Sequence, residues 1–273
     1  MIMPIKQIAE KRAFSNKCKY CRLANLCLPA NVDKNTLKKL SELKFNSRVL
    51  KPGEYLCRQG ELTKSLFILR SGLLKSFTTK SDGQEYIMGF HGPSELFGWE
   101  GIDEKQKSHS ILALDHTNVC EIPLERLASL SSQIPGLHTQ LMNLASQRIR
   151  RDNLNLLRTS AEQRVASFLL QLSEQNSILG YPFYICNLKM THQDIANYLR
   201  IAPETISRTF RALQKKGLLK SVRKKVILND IDALKQIAEF DIDYVGPTNA
   251  DLPKKEYHRA LIEDFDEEEM AFE

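Results

Sequence analysis

The chain has 273 residues, 42% of them apolar and 26% charged, with 12 Gly and 10 Pro, which are the values of a folded soluble protein large enough for two domains. No apolar run approaches the ~20 residues of a membrane span, and the opening MIMPIKQIAEKRAF lacks a signal-peptide core, so no membrane partner and a cytoplasmic location are expected. The net charge of +6 hides a split: residues 241–273 hold eleven Asp and Glu against three Lys and Arg, a balance of −8, so the first 240 residues carry +14 and favour a polyanionic partner.

In chain order, the N-terminal arm (residues 1–34) carries CKYCRLANLC, a C-x2-C-x5-C array among basic residues. Clustering of Cys18, Cys21 and Cys27 in a cytoplasmic protein favours metal or redox chemistry over structural disulfides. Asp33 is placed to cap a short helix over residues 34–43. The next segment, a sensor domain within residues 35–134, changes texture. VLKPGEYLCRQGE, SLFILRSGLLKSFTTKSDGQEYIMGF and SILALDHTNVCEI are short runs of Val, Ile, Leu and Phe broken at Pro52-Gly53, Gly60, Gly72 and Asp82-Gly83. They predict a small antiparallel barrel or roll. Cys57 and Cys186 stand alone and read as small buried apolar residues. Pro123 opens a short helix over LERLASLSSQ.

Residues 135–158 predict a long helix, with Pro135 in its first turn. His138, Met142, Ala145, Ile149, Asp152 and Leu156 recur at alternating spacings of four and three, the seam of a heptad. Such a stripe is either intramolecular core or a face for a second copy, and the DNA reader that follows, which needs a symmetric partner, favours a homodimer. Asp152 then brings two carboxylates together and weakens pairing, or else sits at a solvated rim paired with Arg148 or Arg151 of the other chain.

Residues 159–240 predict a winged helix-turn-helix. Ser160 with Gln163 forms a capping box for a helix through Ser173, and Thr191 with Asp194 opens HQDIANYLRI. A turn spans residues 200–202. Pro203 then starts ETISRTFRALQKKG, which Gly217 ends. LLKSVRKKVILND suits a hairpin, and Asp230 can cap a last helix through Phe240. Ile195, Ala196, Leu199, Ile201, Ile206, Phe210 and Leu213 are the apolar positions that lock the pair. On the exposed face, Arg208 can donate twice to a guanine, Glu204 can accept from a cytosine amino group, and Ser207 can touch a base or a thymine methyl. Arg211, Lys215, Lys216, Arg223, Lys224 and Lys225 are candidates for phosphate contacts. The competing reading of Glu204 and Arg208 is a silent i,i+4 surface pair. The acidic tail, residues 241–273, is not expected to fold; it either shields the basic face or only solubilises the chain.

KPGEYLCRQGE, SLFILRSGLLK and ETISRTFRALQKKG, with CKYCRLANLC and the distant NVCEI, resemble the CRP/FNR superfamily of bacterial transcription regulators up to about residue 240. The E-x-x-S-R recognition helix and the four Cys are similar to the FNR type. The resemblance implies an α+β fold: an N-terminal antiparallel β-roll of the cyclic-nucleotide-binding, jelly-roll kind, a long dimerisation helix and a C-terminal winged helix-turn-helix. It implies a 4Fe-4S cluster on Cys18, Cys21, Cys27 and Cys120, oxygen or redox sensing, and a homodimer paired through Met142, Ala145, Ile149, Asp152 and Leu156. It further implies base reading by Glu204, Ser207 and Arg208 at an inverted repeat similar to TTGAT-N4-ATCAA, activation of transcription, and an RNA polymerase contact near residues 78–86.

Four thiolates also make a closed zinc site, and on the residues alone both metals stay open; the resemblance favours iron and sulfur. Lys17, Lys19 and Arg22 would give the cluster a cationic rim. Where nucleotide-binding members carry an Arg-Ser pair and a Glu, this chain has His109-Ser110 and Trp99, losing the bidentate phosphate clamp, so a cyclic-nucleotide sensor is the weaker alternative. His91, His109 and His116 lack metal-ligand spacing and read as surface or satisfied residues. An electron carrier would not need a helix-turn-helix, and no Walker loop, nucleophile elbow or HExxH motif supports an enzyme.

Overall fold

The computed structural model describes residues 46–100, 102, 105–127, 137–139, 141–143, 145, 146, 148, 149, 159–178 and 181–239. Cys18, Cys21 and Cys27, the helix after Asp33, the seam positions Asp152 and Leu156, and the acidic tail lie outside the described residues. The chain divides into two compact units between Arg150 and Arg151.

The first unit is an antiparallel roll of eight strands: β1 (Asn46–Leu50), β2 (Tyr55–Cys57), β3 (Ser65–Ser71), β4 (Leu74–Thr79), β5 (Glu85–His91), β6 (Leu96–Phe97), β7 (Ser110–Ala113) and β8 (Thr117–Pro123). They form two four-stranded sheets, ordered β1-β8-β3-β6 and β2-β7-β4-β5. Because side chains alternate across a strand, β3 sends Phe67 and Leu69 inward to meet Leu56, Leu74, Phe97, Ile111 and Val119, while Leu66 and Ile68 face outward. The outward set is covered from within the same unit. Leu137, wholly buried, and Leu141 come from a helical stretch running through residue 149 and pack on Leu66, Ile68, Leu96 and Ile122. Each such aliphatic side chain contributes about 1.5–3 kcal/mol through burial. The expected short helix after Pro123 is present at residues 124–127.

Gly72 makes the β3–β4 connection possible. Its φ is +94°, and a Cβ there would lie 2.5 Å from the His116 carbonyl oxygen and 2.5 Å from Thr117 Oγ1. Neither the backbone conformation nor the neighbouring chain admits a side chain.

The second unit contains α1 (Ala161–Ile178), β9 (Ile185–Asn187), α2 (His192–Leu199), α3 (Pro203–Lys215), β10 (Leu219–Val222), β11 (Lys225–Leu228) and α4 (Ile231–Ala238). Its three-stranded sheet runs β10-β11-β9. Two expectations need correction. The helix expected to end at Ser173 continues to Ile178, since nothing in EQNSI breaks it and Asn176 anchors its end by donating to the Ile185 carbonyl at 2.8 Å. The wing hairpin also has a third strand, β9, which a three-residue segment is too short to announce by alternation; its Cys186, wholly buried, pairs with Val226. The capping boxes are as expected: Gln163 N donates to Ser160 Oγ at 3.1 Å and Ser160 N to Gln163 Oε1 at 3.0 Å, and Thr191 and Asp194 exchange the same pair.

Candidate functional site

The helix-turn-helix follows from local chemistry. Thr191 caps α2, Pro203 occupies the first turn of α3, and Arg200 between them adopts the left-handed conformation with φ 57°. Ile201 N donates to the Ala196 carbonyl at 3.1 Å and Arg200 N to the Asn197 carbonyl at 3.3 Å, the paired bonds of a Schellman turn with arginine where glycine is usual. Arg164, from α1, donates through Nη1 to the carbonyls of Leu199 at 2.9 Å and Arg200 at 3.2 Å, taking up acceptors that the helix end leaves open. Ile195, Ala196, Ile206, Phe210 and Leu213 are buried as expected, whereas Leu199 and Ile201 are half-buried. Thr209 joins the buried face of α3.

That packing leaves Glu204, Arg208 and Arg211 exposed and Ser207 half-buried along one side of α3. Arg208 Nη2 donates to Thr205 Oγ1 at 3.4 Å, and among the described residues it forms no ion pair with Glu204. Arg223 and Lys224 are exposed at the β10–β11 turn, where Arg223 has φ 52°. Lys216, of the expected phosphate set, pairs through its amine with Glu162 of α1. One unit thus presents hydrogen-bonding side chains on a helix beside a cationic hairpin, the layout that reads base edges and grips phosphates.

In the roll, Cys120 lies on β8 opposite Ser47 and Ile68, half-buried on the outward face and packed beside the cluster that Leu137 and Leu141 cover. The other described cysteines are buried. Burial pushes the Cys57 thiol up to about 11 against the opposing pull of Lys107, and pushes that of Cys186 up to about 12. Among the described residues no group of three or more His, Cys, Asp or Glu side chains is placed to hold a metal ion. Cys120 fits a soft metal as one thiolate of a larger set: it is held on a rigid strand and left partly open.

On the helical stretch beyond Leu137, His138 is exposed, Met142 is 52% and Ile149 60% exposed, and Ala145 is half-buried. The described part of the expected seam therefore faces away from the roll. Arg148 faces inward. Its Nη1 lies 3.3 Å from Glu95 Oε2 and 3.4 Å from His91 Nδ1, so Arg148 has partners in its own roll and not only across a dimer. His91 is buried, stacked on Phe97, with Nε2 2.9 Å from Ser76 Oγ.

At the positions that the resemblance aligns with the nucleotide clamp, the side chains make contacts within the roll. Ser110 Oγ accepts from Gln59 N at 3.0 Å, and His109 Nε2 lies 3.8 Å from Glu100 Oε2. Burial lowers the pKa of His109 below the usual histidine value despite Glu100. Trp99 packs on the outward cluster instead. Sequence reasoning missed Lys107, which is buried and donates to the carbonyls of Gly98 at 3.0 Å and Ser65 at 3.3 Å. No pattern around it distinguishes it from a surface lysine.

A roll joined to a winged helix-turn-helix defines a DNA-binding transcription regulator. Residues 47–133 match the cyclic nucleotide-binding domain model and residues 163–237 the Crp-like helix-turn-helix domain. The chain is 44% identical over 219 residues to the transcriptional activator protein anr of Pseudomonas aeruginosa, covering 79% of this chain and 90% of that one. It is 41% identical to FnrA of Stutzerimonas stutzeri over 83% of this chain and 93% of that protein. It is 36% identical to the fumarate and nitrate reduction regulatory protein of Escherichia coli K12, over 81% and 90%. Among solved structures, FixK2 from Bradyrhizobium japonicum matches with TM-score 0.64 at 24% identity, over 71% of this chain and 98% of that one, which speaks for the fold. The chain belongs to the CRP/FNR family of transcription regulators. It is a regulator and not an enzyme, as these relatives are.

Proposed function

We propose that this chain is a cytoplasmic, oxygen- or redox-responsive transcription activator. It would hold a 4Fe-4S cluster on Cys18, Cys21, Cys27 and Cys120 and bind as a homodimer to an inverted repeat resembling TTGAT-N4-ATCAA. The observation that carries the sensing part is the placement of Cys120, the one half-exposed thiol among the described cysteines, on the face of the roll covered by the helical stretch of Met142 and Ile149. The names of its relatives, which include a fumarate and nitrate reduction regulator, support the anaerobic setting. When bound, the cluster supplies an oxidisable group with soft thiolate ligands. The chain's own residues do the rest. Three cysteines on the N-terminal arm and one on β8 tie the arm to the roll, and the seam of exposed Met142 and Ile149 with half-buried Ala145, continued by Asp152 and Leu156, meets a second copy. Arg208, Glu204 and Ser207 read bases, and Arg211, Arg223 and Lys224 hold phosphates. The β4–β5 hairpin, residues 78–86, is the proposed RNA polymerase contact. The domain limits of the sequence reading, with an arm to residue 34, a dimer helix over 135–158 and a tail from 241, belong to the same proposal.

The test joins two measurements on protein isolated without air. The parent should be brown, contain iron and sulfide, and lose its visible absorbance on aeration, and Cys120→Ser should lack that absorbance. Fluorescence anisotropy with TTGAT-N4-ATCAA and a scrambled duplex should show Arg208→Ala losing about 1–3 kcal/mol on the specific site alone. A colourless protein containing zinc would replace the iron-sulfur reading, and equal losses on both duplexes would remove base reading from Arg208.

A further inference from the structure

We infer that Arg148 is a positioning residue that fixes the rotation of the helical stretch on the roll, so that Met142 and Ile149 are turned toward a second copy; this rests on the dimer reading above. At about 100° per residue, Arg148, Leu141 and Leu137 fall within about 20° of one line along the helix, the line that meets the roll. Met142 and Ile149 share a second line about 100–120° further round. Leu137 and Leu141 hold the helix down, but apolar contact is non-directional and resists lifting more than sliding or turning. Arg148 supplies the direction. A planar guanidinium with fixed N–H vectors, held by a carboxylate, is satisfied at one rotation only.

Its seat is built for it. Glu95 supplies the carboxylate, 13% exposed, at 3.3 Å. His91 Nδ1 stands 3.4 Å from Arg148 Nη1 and 3.3 Å from the same Glu95 carboxylate, and its Nε2 faces Ser76 Oγ at 2.9 Å. Ser76 Oγ donates onward to the Gly89 carbonyl at 3.4 Å. Gly89 forms the floor of the seat. A Cβ there would lie 2.7 Å from Arg148 Nη2 and 3.6 Å from Ser76 Oγ, and Gly89 has no positive φ although the register of β4 against β5 shifts beside it, so the missing side chain leaves room for the guanidinium. Strand β5 and the Glu95 loop thereby dictate the direction the helix presents to its partner.

The experiment uses the full chain isolated without air, with the dimer dissociation constant read by sedimentation equilibrium. Arg148→Ala should raise it about tenfold, the worth of one charge-assisted contact. Gly89→Ala, which keeps every charge and requires no positive φ, should do the same by unseating the guanidinium. Combining the two should add nothing, because both remove one contact. Circular dichroism should show the roll intact in each. Ile149→Glu separates the dimer reading from this inference. If it breaks the dimer while Arg148→Ala and Gly89→Ala stay within twofold of the parent, Arg148 has no positioning role. Additive losses from the two would also overturn the shared seat. If Ile149→Glu leaves the dimer whole, the seam itself is misassigned and the inference goes with it.

Discussion

Arg164→Met should loosen the helix-turn-helix without touching a DNA-contacting residue. The change keeps an unbranched stem of similar length and deletes the donors that reach the carbonyls of Leu199 at 2.9 Å and Arg200 at 3.2 Å. The first acceptor is part-buried and cannot be fully rehydrated, which costs about 1–2 kcal/mol; the second is exposed and costs about 0.5 kcal/mol. About 2 kcal/mol in total corresponds to roughly 30-fold faster amide exchange in the segment that opens. The segment is defined by the fold: α2, the turn at Arg200 and the start of α3. Arg200→Gly supplies the counter-test. Arg200 holds φ 57°, a conformation that costs a side-chain-bearing residue about 1 kcal/mol and glycine almost nothing. Placed on Arg164→Met, it should recover about half of the lost protection. Hydrogen exchange read by mass spectrometry over residues 188–215 measures both. Exchange within threefold of the parent in Arg164→Met, or faster exchange confined to the wing, would refute the claim that Arg164 closes the turn.

Other expectations follow from the buried titratable groups. With thiol pKa values of about 11 and about 12, Cys57 and Cys186 should stay unmodified by iodoacetamide at pH 8 in the native protein, since only about one thiol in a thousand or fewer is ionised, and react once urea unfolds the chain; peptide mass spectrometry reads this, and fast native labelling at either would contradict their burial. Lys107 has its pKa lowered chiefly by burial, so between that lowered value and 10.5 the unfolded chain holds a proton that the folded chain has shed, and stability rises with pH across that window. Urea melts of the parent should therefore gain on Lys107→Met as pH rises toward 10.5; a parallel course would exclude a burial penalty there. His109, also lowered chiefly by burial, adds stability that is present above pH 6.5 and lost as pH falls through the folded value, a slope that His109→Gln should flatten in acid melts.

Much of this protein was legible in the sequence because its signals are local. A capping box needs only two residues three apart, and Thr191 with Asp194 states its helix as clearly as it forms it. The unbroken apolar run Leu66, Phe67, Ile68 and Leu69 announces a strand, which is buried on both faces, and Pro203 marks where the second helix of the reader begins. The exposed side of α3 follows from its periodicity, which is why Glu204, Arg208 and Arg211 were expected there and are exposed, whereas Ser207, expected on the same face, is half-buried.

Contacts between residues far apart in the chain were decided by tertiary structure alone. Nothing near Lys107 or His109 shows that the roll encloses them, and nothing near Lys216 shows that α1 brings Glu162 against it. Arg148 and Gly89 are 59 positions apart, and neither spacing nor composition shows that one is the seat of the other. Helix periods, caps and turns depend on backbone hydrogen bonds reaching three to five residues along the chain, so the sequence by itself determined which elements form and which faces they turn outward. Which buried charge meets which partner depends on how strands from distant positions close around it, and that information exists only once the sheets have packed.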